Sequence, residues 1–396
     1  MGITKKSLTF RMPSADCWDY EAIPAFSTHG RWVLLHFVPS IIAYGNSRIP
    51  CFSKKITFFH SKSCTFNFFV VTLQPEMKII VDTMLPSEWF GRLAEHELIP
   101  DTALYGESSS CGDTASTKAL EAEVLTTNFY KPVRKELLDK LPKLKLVTQF
   151  GVGYDNIDVA ECHKRGILVT NTPQPVIEPT AELCMALIMG IARRTAELDR
   201  GIRDNNVQFG LLRNLGHSLY GKTLGIIGMG NIGRSVARRA IACGMRVIYH
   251  NRHEVPVERL EAEGLTAEYV SQDELLRTAD YVSLNLPYTK EVHHLIGERE
   301  LRMMKHDAFL INTARGAHVD EQALIQALRE GWIAGAALDV YEHEPQISDE
   351  LKELDNVLLV PHIGTGTWEG RKAMCEAMID NIVAYANNEL DKMTTV

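Results

Sequence analysis

A short apolar run, Leu224-Gly225-Ile226-Ile227, leads directly into Gly228-Met229-Gly230-Asn231-Ile232-Gly233, and an amphipathic stretch follows. Glycines spaced this way between a strand and a helix leave few folds open. Gly228 permits the tight turn, Gly230 lets an anion approach the backbone, and Gly233 lets the helix pack on the strand. The helix N-terminus, with Asn231 and Ile232 in its first turn, then offers unpaired N–H groups to that anion. Alone, the glycine spacing is weak and describes many structural turns. With a strand before it and a helix after it, the spacing predicts a bound dinucleotide, its pyrophosphate seated on the turn.

The rest of the chain from Met77 onward supplies matching architecture. Strands are expected at 78–82, 123–126, 145–149 and 167–170, with helices such as 132–139 and 158–164 between them. A second series predicts strands at 223–227, 246–250, 281–285, 308–312, 333–338 and 357–360. Alternation of this kind favours α/β folds, and six strands with crossover helices favour a doubly wound parallel sheet. Ser271-Gln272-Asp273-Glu274 opens a helix as a capping box, while Gly244 and Gly331 stand where helices should stop. The apolar segment from Thr180 to Arg200 reads as one long helix, with Pro179 before it and Gly201 after it. Apolar residues nearly encircle its first half, so it is expected to be buried between domains or subunits. A last helix is expected at about 368–388, returning to the first set of strands.

Residues 1–76 have a different character. They carry eight Lys and Arg against four Asp and Glu, leaving a net −12 on the remainder of a chain whose total is −8. Aromatic runs such as Phe58-Phe59 and Phe66-Asn67-Phe68-Phe69 are concentrated there, without helical or alternating periodicity. The apolar stretch from Trp32 to Tyr44 is too short to span a membrane and contains Pro39. Asp16, Asp19 and Glu21 argue against a signal or transit peptide, and Lys6 stands where a myristoylation site wants Ser or Thr. The segment is expected to be a disordered extension, or to precede a native start at Met77.

Charge and cysteine usage exclude several classes. A net charge of −8 disfavours nucleic acid as a partner. The eight cysteines form no C-x-x-C or His/Cys cluster, which argues against a disulfide framework or zinc site. No metal is expected, and a reducing compartment, the cytoplasm, fits.

The strand after the glycine turn ends at Tyr249-His250-Asn251-Arg252. NAD sites place an acid here for the ribose hydroxyls, whereas this chain offers Asn251 and Arg252. Arg252 suits a 2′-phosphate, so NADP(H) is favoured over NAD(H). Three polar residues then fall just past later strand ends, where open α/β sheets place their sites. They are Arg315 in Asn312-Thr313-Ala314-Arg315-Gly316, Glu344 in Glu342-His343-Glu344-Pro345, and His362 in Pro361-His362-Ile363-Gly364. Singly, such a histidine is more often structural and such an arginine usually solvated.

Together, and in this order, they make the sequence from Met77 resemble the D-isomer-specific 2-hydroxyacid dehydrogenases, most closely the glyoxylate/hydroxypyruvate reductases. Gly151-Val152-Gly153-Tyr154-Asp155-Asn156-Ile157-Asp158 and Asn171-Thr172-Pro173 carry the same resemblance. It implies a Rossmann-type cofactor domain, 179–363, inserted into a smaller flavodoxin-like substrate domain made of 77–178 and 364–396. It implies reduction of a small 2-oxoacid, with His362 as proton donor and Glu344 bonded to the other ring nitrogen, favouring imidazolium. Arg315 would hold the substrate carboxylate or carbonyl oxygen, and the N–H groups of Val152 and Gly153 would clasp the carboxylate. Asp339 would accept from the nicotinamide carboxamide, with Thr180, Pro287, Thr313, Ala314 and Gly364 as further cofactor contacts. A homodimer through the 180–200 region is also implied. D-lactate-type and D-3-phosphoglycerate dehydrogenases are the nearest alternatives; formate dehydrogenases carry Gln where Glu344 stands. A corepressor-like scaffold that senses dinucleotides would keep a similar triad, and only turnover separates it.

Overall fold

The computed structural model describes residues 23–25, 33–35, 77–105 and 117–396. Within 1–76 it describes two three-residue strands, β1 (Ile23–Ala25) and β2 (Val33–Leu35), paired antiparallel. The expectation of a disordered or untranslated extension otherwise lies outside the described residues.

Residues 76–396 form one compact unit around two parallel sheets. The first contains β3 (Lys78–Val81), β4 (Glu97–Pro100), β5 (Val124–Asn128), β6 (Leu146–Phe150) and β7 (Leu168–Thr170) in the order β4-β3-β5-β6-β7. The second contains β8 (Thr223–Ile227), β9 (Arg246–His250), β10 (Ala267–Tyr269), β11 (Tyr281–Leu284), β12 (Phe309–Asn312), β13 (Gly335–Leu338) and β14 (Val357–Leu359). Its order is β10-β9-β8-β11-β12-β13-β14. These are the flavodoxin-like and Rossmann-type strand orders, so the expected fold class holds. Both sheets are covered by helices, which is why β5, β6 and β11 are buried at every position.

Within residues 76–396, two strands escaped the sequence pattern, β4 and β10, and both are sheet edges. Edge strands are half covered, so they lack a sustained apolar run, and an edge also tolerates the terminal Pro100 of β4.

The long helix expected from Thr180 to Arg200 is two helices, Ile177–Ala192 and Thr195–Arg203. Pro179 sits inside the first turn, where its missing N–H is not needed, and Gly201 lies inside the second helix. The break falls at Arg194, whose backbone is left-handed at φ 54° and whose guanidinium pairs with Glu197. Apolar periodicity runs across such a break because a reversal of one residue leaves the composition unchanged. The first helix buries Ala181, Cys184, Leu187, Ile188 and Ile191 against the seven-stranded sheet and the helix Asn231–Ala242.

The C-terminal helix, Trp368–Ala386, returns to the five-stranded sheet as expected. Its Met374, Cys375, Met378, Ile379 and Ile382 pack against Ile79, Val124 and Leu146. That return sets the start of the helix beside the C-terminal ends of β3, β5 and β6.

Candidate active site

The glycine turn lies at the point where strand order reverses, between β8 and its neighbours β9 and β11. Gly228 has φ 102°, and an added Cβ would meet the Asn285 carbonyl oxygen at 2.5 Å. At Gly233 an added Cβ would come within 2.1 Å of the Gly228 oxygen. At Gly230 nothing lies within 4 Å, so the backbone there is open to an incoming group. The helix Asn231–Ala242 begins immediately afterwards. The carboxamide oxygen of Asn285 is buried past the end of β11 without a partner among the described residues, and the hydroxyl of Thr313, past β12, is buried beside the Cys184 thiol. A dinucleotide fits this surface: open backbone for the phosphates, a helix N-terminus offering N–H groups to them, and a buried carboxamide oxygen awaiting a hydrogen bond.

Asn251 serves the turn itself, because its side-chain oxygen accepts from the Met229 N–H at 2.7 Å. Arg252 is exposed just past β9, with Glu291 within its electrostatic reach. Thr180, Asp339 and Gly364 meet below the His362 loop. A Cβ on Gly364 would lie 3.1 Å from the Asp339 carboxylate and 3.5 Å from the Thr180 methyl. Ala314 is half-buried beside Thr313, Ile232 is half-buried in the helix after the turn, and Pro287 is exposed past β11.

Asp339 holds the His362 loop through two of its N–H groups, Ile363 at 2.6 Å and Gly364 at 2.8 Å. Burial pushes its pKa up to about 6, against the opposing pull of those N–H groups and of His362. The His362 N–H also donates to the Asp339 carbonyl at 2.9 Å. These bonds maintain a left-handed backbone at His362, φ 51°, a strained conformation for a residue with a side chain.

His362 Nδ1 lies 2.7 Å from Glu344 Oε2, and the other Glu344 oxygen accepts from the Tyr341 N–H at 3.0 Å. The ring of Phe129 stacks on the imidazole, with centroids 4.1 Å apart and planes 21° from parallel. His362 therefore has one nitrogen committed to a carboxylate and one face covered, while Nε2 has no partner among the described residues. It borders a cleft of about 510 Å³, walled also by Met84, Trp89, Phe129, Tyr130, Phe150 and Arg371.

Arg315 follows β12 and reaches across to the five-stranded sheet. Its Nε pairs with Asp155 at 3.0 Å, and one guanidinium nitrogen donates to the Ala314 carbonyl at 2.8 Å. The other sits so close to Gly153 that a Cβ there would overlap it at 1.5 Å. The N–H groups of Val152 and Gly153 make no hydrogen bond among the described residues, although their carbonyls accept from Asn171 and Gln149. Unpaired backbone donors beside a guanidinium form a receptor for a carboxylate.

The structure thus gathers Arg315, Val152 and Gly153 in one place, and Glu344, His362, Asp339 and Gly364 in another, both between the two sheets. Phe129, Tyr130, Trp89, Asp155 and Arg371 escaped the sequence reading. For Phe129 and Tyr130 a signal existed, since they follow the C-terminal end of a central parallel strand. Among the described residues one group could hold a metal ion, His293, His294 and Glu342. His294 Nε2 there already lies 2.6 Å from Glu342. The described cysteines, Cys162, Cys184, Cys243 and Cys375, are free. No described helix is long and apolar enough to cross a membrane.

A family model for the NAD-binding domain of D-isomer-specific 2-hydroxyacid dehydrogenases matches residues 185–364. A glyoxylate reductase of Thermococcus litoralis is 49% identical over 278 residues, covering 69% of this chain and 83% of that protein. The crystal structure of a glyoxylate reductase from Paecilomyes thermophila matches at TM-score 0.69 and 34% identity, over 81% of this chain and 98% of that one. An NADPH-dependent glyoxylate/hydroxypyruvate reductase from Sinorhizobium meliloti, solved with NADP and malonate, matches at TM-score 0.68 and 30% identity. That match covers 78% of this chain and 93% of that one.

Proposed function

The chain belongs to the D-isomer-specific 2-hydroxyacid dehydrogenase family and is an oxidoreductase; from that premise we propose that it reduces glyoxylate or hydroxypyruvate to the 2-hydroxyacid with NADPH. The observation that carries the reading is His362, which lines the cleft and is tied at Nδ1 to Glu344 at 2.7 Å, leaving Nε2 without a partner among the described residues.

When bound, the reduced nicotinamide supplies a hydride to the carbonyl carbon of the substrate. His362 delivers a proton from Nε2 to the carbonyl oxygen as charge develops there, and removes it in the reverse direction. Glu344 fixes the ring orientation and stabilises the imidazolium. Phe129 shields one face of the ring from water. Arg315 and the N–H groups of Val152 and Gly153 hold the carboxylate, which sets the carbonyl in line for attack. Asp339 keeps the loop at His362 in place and offers its remaining lone pairs to the nicotinamide carboxamide.

Arg252 supports NADPH over NADH, because it brings positive charge where NAD sites carry an acid. The Sinorhizobium relative, named as NADPH-dependent, supports the same preference. We further infer the split domain arrangement, 77–178 with 364–396 around 179–363. The packing of the C-terminal helix on the five-stranded sheet supports it. A homodimer is inferred from exposed Ile202, Phe209, Leu211, Leu212, Leu215 and Tyr220, a surface just beyond the 180–200 region. Cytoplasmic residence is inferred from the free described cysteines.

Rates of NADPH oxidation with glyoxylate, hydroxypyruvate, pyruvate and phenylpyruvate, compared side by side and then with NADH, test the reading. Fastest turnover with the first two and with NADPH is expected. Cofactor binding with no turnover of any 2-oxoacid would replace it with the scaffold reading.

A further inference from the structure

The cleft beside His362 contains a cation that no described residue bonds, Arg371. Arg371 lies in the first turn of the helix Trp368–Ala386 and lines the cleft with Phe150, Tyr130 and Thr367. Its guanidinium makes no hydrogen bond or ion pair with any described residue and instead lies over the Phe150 ring, 5.6 Å from its centroid. The other charged groups on this wall are already matched. Asp82 accepts from Lys131 at 2.7 Å and from Asn128, and His362 is tied to Glu344.

Arg371 is half-buried among Phe150, Trp89, Leu85 and Met84. Burial lowers its pKa, and only Tyr130 and Asp339 pull the other way. A guanidinium does not give up its proton near neutral pH, so it cannot escape desolvation by becoming neutral. An oxygen acceptor entering the cleft would relieve that penalty, and the planar fork favours a group with one or two oxygens. The carboxylate common to all 2-oxoacids already has Arg315 and two free N–H groups. Arg371 is left for a different part of the substrate.

We propose that Arg371 determines specificity by binding an oxygen on the third carbon of the substrate. The cleft then selects 2-oxoacids ending in a hydroxyl or a second carboxylate over those ending in a methyl group. The proposal rests on the 2-oxoacid reading above and names the substrate class of that site.

Hydroxypyruvate and 2-oxobutyrate differ only by a hydroxyl in place of a methyl group, so their ratio of kcat/KM isolates the contact. In Arg371→Met that ratio should fall at least ~10-fold, since a site built to bond a hydroxyl loses its discrimination when the donor goes. Arg371→Lys keeps the charge without the fork and should lie between, and it carries the test if Met is not tolerated. A ratio unchanged in both variants overturns the proposal. So does an equal loss for hydroxypyruvate and glyoxylate, because glyoxylate has no third carbon and the residue would then serve the shared carboxylate. A second arm is independent of turnover: calorimetric titration of the cofactor-free protein with malonate. Weakening by ~10-fold or more in Arg371→Met, partly restored in Arg371→Lys, is expected for a guanidinium–carboxylate contact. Unchanged affinity overturns the proposal. If the wild-type protein turns over no 2-oxoacid, the reductase reading fails, and the malonate arm still decides whether Arg371 is an anion receptor.

Discussion

The two sheets end in different kinds of surface. Past β8 of the seven-stranded sheet, the groups on offer are backbone: the open strip at Gly230 and the N-terminus of the helix Asn231–Ala242. Past β3, β5 and β6 of the five-stranded sheet, the wall of the cleft beside His362 is side chain, Asp82, Asn128, Phe129 and Phe150, with the Val152 and Gly153 N–H groups further along past β6. A backbone surface recognises what every dinucleotide shares, and at Gly228 and Gly233 it leaves no room for an added atom. A Cβ at Gly233 would meet the Gly228 backbone oxygen at 2.1 Å, which cannot move without unmaking the turn. A side-chain surface can be altered one residue at a time. At Gly153 the added Cβ would meet the end of the flexible Arg315 side chain. The difference teaches that cofactor class is held by geometry common to the fold, while substrate choice is left to replaceable parts such as Arg371.

The most forceful way to sharpen this contrast is at the residue between the two surfaces. His362→Ala should lower kcat by ~1000-fold, the loss expected for a general acid, while cofactor affinity by fluorescence titration moves by less than ~3-fold. Near-normal turnover would remove His362 from the chemistry. Next come the two glycines. Gly233→Ala should destabilise the protein by about 1–3 kcal/mol in urea titration and abolish cofactor binding, because nothing nearby can yield. Gly153→Ala should leave the unfolding midpoint in place and raise KM for the 2-oxoacid. Equal loss of stability in both would break the distinction drawn between the sheets.

Arg252→Ala tests the one side chain assigned to the backbone surface. A charge-assisted bond of about 1.5–3 kcal/mol predicts a ~10-fold or greater fall in the NADPH-to-NADH ratio of kcat/KM. An unchanged ratio would mean that Arg252 is only a solvated surface charge.

The smallest effect concerns Asp339, whose carboxyl burial pushes from 3.8 up to about 6. Between these values the native protein holds a proton that the unfolded chain has released. Stability therefore rises as pH falls through that window and is lost as pH climbs to about 6, above which the penalty is constant. Denaturant titrations across the window should show this slope in the wild-type protein and lack it in Asp339→Asn. The same slope in both would assign it elsewhere.

Much of the cofactor half was legible beforehand. β8 and β9 have the expected bounds, Ser271 caps its helix by accepting from the Glu274 N–H, and Gly331 ends its helix at φ 69°. Each depends on residues adjacent in sequence, so local pattern suffices. The edge strands β4 and β10 were not legible, because half-covered strands carry no sustained apolar run. Nor was the break at Arg194, which a single left-handed residue produces without changing composition.

For the site, the sequence by itself determined which groups were available: the glycine turn, Arg315, Glu344 and His362, with Arg252 replacing an acid. These are recognisable because each stands at a fixed offset from a strand end. Only the tertiary structure decided that Phe129 would cover the imidazole, that Asp155 would hold Arg315, and that Arg371 would reach the cleft unpaired among the described residues. Phe129 and His362 are brought together by two sheets meeting, and Arg371 by a helix returning over the five-stranded sheet. Contacts made across such sequence separations follow from packing, and no local spacing encodes them.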